Sequence, residues 1–257
     1  MFHVLDDRPG LRAAVAVARP GPLRVYAHVQ AGANDADLTG LRVLLVVDLL
    51  FRAAERAGLQ VLTTRVLAGE AAGQAAVERA AGALGIHPPA LPAALPEAWP
   101  DGHADVHVTD GGTVGEDDRQ GVVIRAASAR LAADACPGDA AAGMLGGHDP
   151  LAVRFALMSI PRHQPGELTA AMLDGAARTL GEWRGKVARW AESPSRRIPE
   201  PTQAEFKVAF ESLDAVALLS SLSGLAADEA VPPGARFESF VYADRILGLD
   251  LPRDIGR

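Results

Sequence analysis

From residue 23 onward, the spacing of apolar side chains passes from that of a strand to that of a helix and back again. Leu23-Arg24-Val25-Tyr26-Ala27 is a strand-like run, and it predicts a strand over 23–29. In LRVLLVVDLLFRAAERA, residues 41–57, Leu41, Leu44, Leu45, Val47, Leu49 and Ala53 fall near helical spacing, and Gly58 is a natural helix stop. LQVLTTRV, 59–66, is rich in β-branched residues and predicts a second strand. Strand, helix, strand in that order is a βαβ unit, which implies a parallel sheet with a right-handed crossover. An alanine-rich helix over 69–84 follows and closes at Gly85.

IHPPALPAALPEAWPD, 86–101, carries five prolines and cannot be a regular element. ADVHV and GVVIRA beyond it read as two short strands, and the acidic glycine-rich DGGTVGEDDRQ between them reads as an exposed hairpin connection. From Pro150 the pattern turns helical over 150–160, 167–191, 204–226 and 235–247, with SPSRRIPEPT, 193–202, as a loop. The expected fold class is therefore α/β plus all-α. A Rossmann-like parallel-sheet domain, 1–148, precedes a helical-bundle domain, 149–257, with the boundary near Gly147 to Pro150.

Composition narrows the function classes. A chain of 257 residues with 49% hydrophobic and 22% charged residues is ordinary for a globular protein. The net charge of −7 argues against general affinity for phosphate backbones, so tRNA is not an expected partner. The only lysines are Lys186 and Lys207, which excludes any lysine-dependent motif upstream. The single cysteine, Cys136, can form neither an intramolecular disulfide nor a Cys-x-x-Cys knuckle. Asp6 and Asp7 stand where a signal peptide would be apolar, and the longest apolar stretch, Val43 to Phe51, is broken by Asp48. A cytoplasmic protein with no membrane partner is expected.

Motifs for familiar chemistry are sparse. None of the seven histidines falls in a helical His-x-x-x-His or His-Glu-x-x-His pattern. His103 and His107 are four apart in a strand-like segment, about 13 Å along one face and too far for one ion. His28 ends the strand at 23–29, where α/β proteins build sites, although a surface-loop histidine is the plainer reading. Cys136 has no adjacent basic group to lower its pKa. Gly-x-Gly-x-x-Gly and the P-loop Gly-Lys-Ser/Thr are both missing, and Gly111-Gly112 and Gly146-Gly147 read as turns. Trp183, Arg184, Lys186, Arg189 and Trp190 mix base-stacking and phosphate-neutralising types. The seven-residue spacing of Trp183 and Trp190 favours core or interface packing.

Taken together the chain resembles cysteinyl-tRNA synthetase and its ligase relative in mycothiol biosynthesis. RVYAHVQAGANDADLTGLR lies without a gap on the family's first strand and HIGH motif, with Arg24 and Arg42 anchoring the two ends. VVDLLFRAAERAGLQVLTTRV is similar to the family's V-F-D-x-L-R-R helix and second strand, AGALGIHPP to A-L-G-V-x-P-P, and GHADVHVTDGG to its G-x-A-Y with a short strand. DPLAVRFALMS resembles G-P-E-A-L-R-Y-F-L-L-S, and RHQPGELTAAMLDGAARTLGEW resembles R-S-P-L-x-F-S-x-x-x-L-x-x-A. FKVAFESLDAVALLSSL stands at the D-D-L-N-T-P helix, and ADRILGLDL resembles the closing L-G-L-D-L.

The departures bear on function. Where the family has its zinc-ligating cysteine the chain has His28, and the ligands from the W-H-I-E-C-S and H-H-E-N-E stretches have no counterparts. The HIGH motif aligns with Asp37-Leu38-Thr39-Gly40; Asp37 would repel ATP phosphates that the family's histidines stabilise, and only Gly40 would let backbone approach. KMSKS needs lysines, and none precedes Lys186. The space between Gly121 and Gly147 implies a largely deleted second catalytic half, and the chain closes soon after Leu251, without the family's anticodon-binding domain. These losses imply a pseudoenzyme that binds a protein partner or small molecule, with no cofactor expected and no motif for ATP or zinc. The alternative is a repurposed enzyme that activates a different small substrate. Its candidate ligand residues are His28, Asn34, Asp35, Asp37 and Gly40, with His28 the one candidate metal ligand.

Overall fold

A computed structural model describes residues 2–8, 14–17, 21–32, 36–90, 103–111, 121–136 and 144–257. The chain opens with an antiparallel pair, β1 (Phe2–Leu5) and β2 (Ala14–Val17), which the apolar pattern does not signal. It continues with β3 (Leu23–Gln30), α1 (Thr39–Arg56), β4 (Val61–Ala68) and α2 (Ala71–Ala83), within a few residues of the expected limits. β5 (Val106–Thr109) and β6 (Val122–Arg125) complete a four-stranded parallel sheet of order β4-β3-β5-β6. This Rossmann-like α/β sheet is followed by a helical region.

The pairing of β5 with β6 is parallel, which overturns the hairpin expected between them. The reason lies in burial: His107 is 4% exposed and Val123 2%, while their neighbours Val106, Val108 and Ile124 are fully buried. Strands covered on both faces are what a parallel sheet requires, and Val122-Val123-Ile124 is such a continuous apolar run. Residues 112–120 of the connecting segment and 91–102 of the proline-rich segment and its end lie outside the described residues.

The helical region comprises α3 (Pro150–Met158), α4 (Ala170–Trp190), α5 (Glu200–Ser212), α6 (Ala215–Ala227) and α7 (Pro233–Leu247). The single helix expected over 204–226 is two, because Leu213 turns left-handed at φ 52° and the Asp214 carboxylate accepts from Ala217 N–H to start α6. A non-glycine residue held there costs about 1–2 kcal/mol. Two three-residue strands, β7 (Ala129–Leu131) and β8 (Gly166–Leu168), pair in parallel and were too short to leave a periodic signal. Trp183 and Trp190 are buried edge-on against Phe240, the packing their spacing favours.

α1 is the pivot of this arrangement. Every residue from Thr39 to Leu50 is buried, because the helix lies between the sheet and the helical region. Its buried polar residues Thr39, Arg42 and Asp48 therefore need internal partners. Asp48 Oδ2 accepts from Arg154 Nη2 at 2.5 Å and from Arg52 Nε at 2.8 Å, while Oδ1 accepts from His87 N–H at 3.1 Å and lies 2.6 Å from its ring Nδ1. Arg154, fully buried, also donates to the carbonyls of Leu247 and Leu84. One carboxylate thus joins α1 to α3, and through Arg154 to the ends of α2 and α7.

Burial alone would raise the Asp48 carboxyl, but His87, Arg154 and Arg52 hold it well below the usual carboxylate range. Its folded pKa lies below the unfolded one, so its contribution is complete above about pH 4 and is lost as pH falls further. Urea midpoints should therefore drop between pH 6 and pH 3, and Asp48→Asn should flatten that dependence while lowering stability at pH 6 by about 3–5 kcal/mol. Arg154→Met should cost a similar amount; a loss under about 1 kcal/mol for both would show that the pair carries little of the fold.

Candidate functional site

In a doubly wound sheet, ligands bind where neighbouring connections leave in opposite directions, outside the carboxyl ends of the strands. In the order β4-β3-β5-β6 that point falls between β3 and β5. β3 alternates buried apolar residues with Arg24, Tyr26, His28 and Gln30, so period-two geometry puts the polar set on one face. Register then sets Tyr26 opposite His107 of β5. His28 Nε2 comes to 3.2 Å from His107 Nδ1, and the Tyr26 ring stands edge-on to both imidazoles, with centroids 4.7 and 6.1 Å away. His28 is thus a half-buried strand residue and not a surface-loop one. His103 precedes β5, and the histidine that His107 meets is His28, on the adjacent strand.

The sequence's other candidates gather at the start of α1. Asp37, two residues before α1, accepts from Thr39 N–H through Oδ1 at 2.9 Å, which brings a carboxylate to the positive end of the helix dipole. A Cβ on Gly40 would lie 2.6 Å from the Gln30 carbonyl, so this glycine lets α1 close on the end of β3. Asn34 and Asp35 lie outside the described residues.

Segment 36–39 is also stitched to β7. Leu38 N–H donates to Ala129 O at 2.8 Å, Leu131 N–H to Ala36 O at 2.8 Å, and Thr39 Oγ1 accepts from Ala129 N–H at 3.3 Å. A polar hollow of about 520 Å³ remains beside it, walled by Asp37, Thr39, Ser128, Arg130 and Glu167. Arg130 and Glu167 pair at its exposed rim at 2.8 Å. Neither residue has a sequence signal, since β7 and β8 themselves have none.

Arg42, one turn into α1, holds the surrounding loops. Its guanidinium donates to the carbonyls of Ala127, Ser128, Ile160, Pro161 and Gln164, and its burial lowers its pKa to about 10. The chain after β6 and the chain after α3 therefore meet on one cation. Elsewhere, Arg184 donates to Leu249 O and Asp250 O and Lys186 to Ala226 O, so these cations of the tryptophan helix are engaged within the fold. Among the described residues, no three His, Cys, Asp or Glu side chains come together as a metal site.

Asp37→Ala should lower stability by about 0.5–2 kcal/mol through loss of the first-turn acceptor. Gly40→Ala should cost about 1–3 kcal/mol, because the obstacle to its methyl is the carbonyl of Gln30. Urea unfolding of the two variants checks both values, and a neutral Gly40→Ala would mean that α1 has room to move off β3. Compared with known proteins, the chain matches no protein-family model and no curated protein.

Proposed function

We propose that the chain is a degenerate paralogue of cysteinyl-tRNA synthetase, a cytoplasmic pseudoenzyme that binds a small molecule or protein partner and forms no aminoacyl adenylate. The observation that carries this reading is Asp37: its carboxylate accepts the Thr39 N–H at the start of α1, where adenylation needs donors for the phosphates of ATP. A second anion there repels the substrate and already accepts a backbone N–H that a phosphate would use. The segments that resemble the family also support the reading, since Asp48, Arg52 and Arg154 come from them and act together in the interior.

ATP–pyrophosphate exchange tests the proposal directly. Purified protein supplied with each of the twenty amino acids should show no exchange above the protein-free background; exchange with any of them would overturn it.

A second reading, a repurposed enzyme, is favoured by one specific observation, the His28–His107 contact at the point where sheet connections diverge. Nitrogens 3.2 Å apart suit a hydrogen bond between a neutral donor and acceptor, and they equally suit two ligands of one divalent ion. Elemental analysis of protein purified without chelator decides between the readings. Stoichiometric zinc that disappears in His107→Ala would favour the enzyme; substoichiometric metal, unchanged by that substitution, is the expected result for the pseudoenzyme.

A further inference from the structure

β6 ends the sheet, and among the described residues no strand pairs with its outer edge. Val122 N–H donates inward to Asp105 O and Ala126 N–H to Thr109 O, so the backbone groups of Val123 and Arg125, which alternate with them, point outward. Such an edge is a template for any extended chain that reaches it, the more so when the strand is β-branched, as Val122-Val123-Ile124 is.

Two consecutive aspartates occupy this edge. Asp7 N–H donates to Val123 O at 2.8 Å, and Arg125 N–H donates to Asp7 Oδ2 at 2.8 Å. The Val123 N–H faces the Asp6 carboxyl. Arg162 donates to Arg125 O at 3.1 Å and pairs with the Asp7 carboxylate. Each outward group of β6 is therefore met, but mostly by side chains. A further strand would present a new row of N–H and C=O groups in its turn; carboxylates and a guanidinium end the ladder.

Other parts of the chain fix the two aspartates in place. Arg8 donates to both oxygens of Asp6 and to the carbonyl of Gly121, just before β6, and Asp6 is left 2% exposed. Arg162 belongs to the loop after α3, and its carbonyl accepts from Ala127 N–H. The edge is thereby tied to the loops that Arg42 gathers.

We infer that Asp6 and Asp7 form a built-in guard that keeps β6 from pairing with β6 of a second copy. The edge is complementary to itself. With two copies antiparallel about a twofold axis, Val123 of each lies opposite Arg125 of the other, and every outward donor finds an acceptor.

Sedimentation velocity of the full chain tests this. Asp6→Ala/Asp7→Ala should sediment at twice the mass of the unsubstituted protein. Adding Arg125→Pro, which removes one outward N–H from an exposed edge position, should return the mass to its original value. In dilute solution the Arg125 amide should exchange hydrogen at least ~10-fold faster once Asp7 is alanine. Circular dichroism establishes that the double variant is folded; if it is not, Asp7→Ala alone, at a half-buried position, is measured in its place. An unchanged mass in a folded variant, an increase that persists with Arg125→Pro, or an unchanged Arg125 exchange rate would overturn the inference.

Discussion

The buried pair of Asp48 and Arg154 sets the terms for the rest of the molecule. The Asp48 side chain lies where α1 is closed off from water, so its charge is tolerable only if other elements bring it cations and N–H donors. Arg154 comes from α3, His87 from the chain beyond α2, and Arg52 from the next turn of α1 itself. The remaining Arg154 donors fall on the carbonyls of Leu84 and Leu247, at the ends of α2 and α7. Removing one partner would leave an uncompensated charge in the interior, which is why the pair constrains the geometry whether or not it adds net stability.

Arg42 repeats the principle one end earlier. With carbonyls as its partners, the cation is satisfied by dipoles drawn from two separate loops, 127–128 and 160–164. Those loops flank β7 and β8, so the short pair that adjoins segment 36–39 is held in place from inside α1. The same helix therefore organises the interior through Asp48, the loops through Arg42 and the sheet contact through Gly40.

This has a functional consequence. The positive end of α1 would suit a phosphate, but Asp37 and the carbonyl of Ala129 occupy donors there. The open volume left by the packing of α1 lies against α3 and the α5–α6 joint, where the walls are apolar. A polar hollow thus adjoins the start of α1, and an apolar cleft runs along its Leu45, Val46 and Leu49.

The order of β3, α1, β4, α2 and the later helices was legible in the sequence, because a buried strand and a buried helix impose different apolar periods on the residues that form them. The strand-end position of His28 was legible for the same reason, and periodicity put the start of α1 at Leu41, two residues inside its observed start at Thr39. Local pattern could not tell a hairpin from a parallel pair at β5 and β6, since both need only two short apolar runs; coverage on both faces decided it. Nor could it show that His28 meets His107, 79 positions apart, or that Asp48 needs Arg154, 106 positions apart. Periodicity reports which way a side chain faces within its own element. Register between strands and the desolvation of a buried charge join distant parts of the chain, and only the tertiary structure determines them.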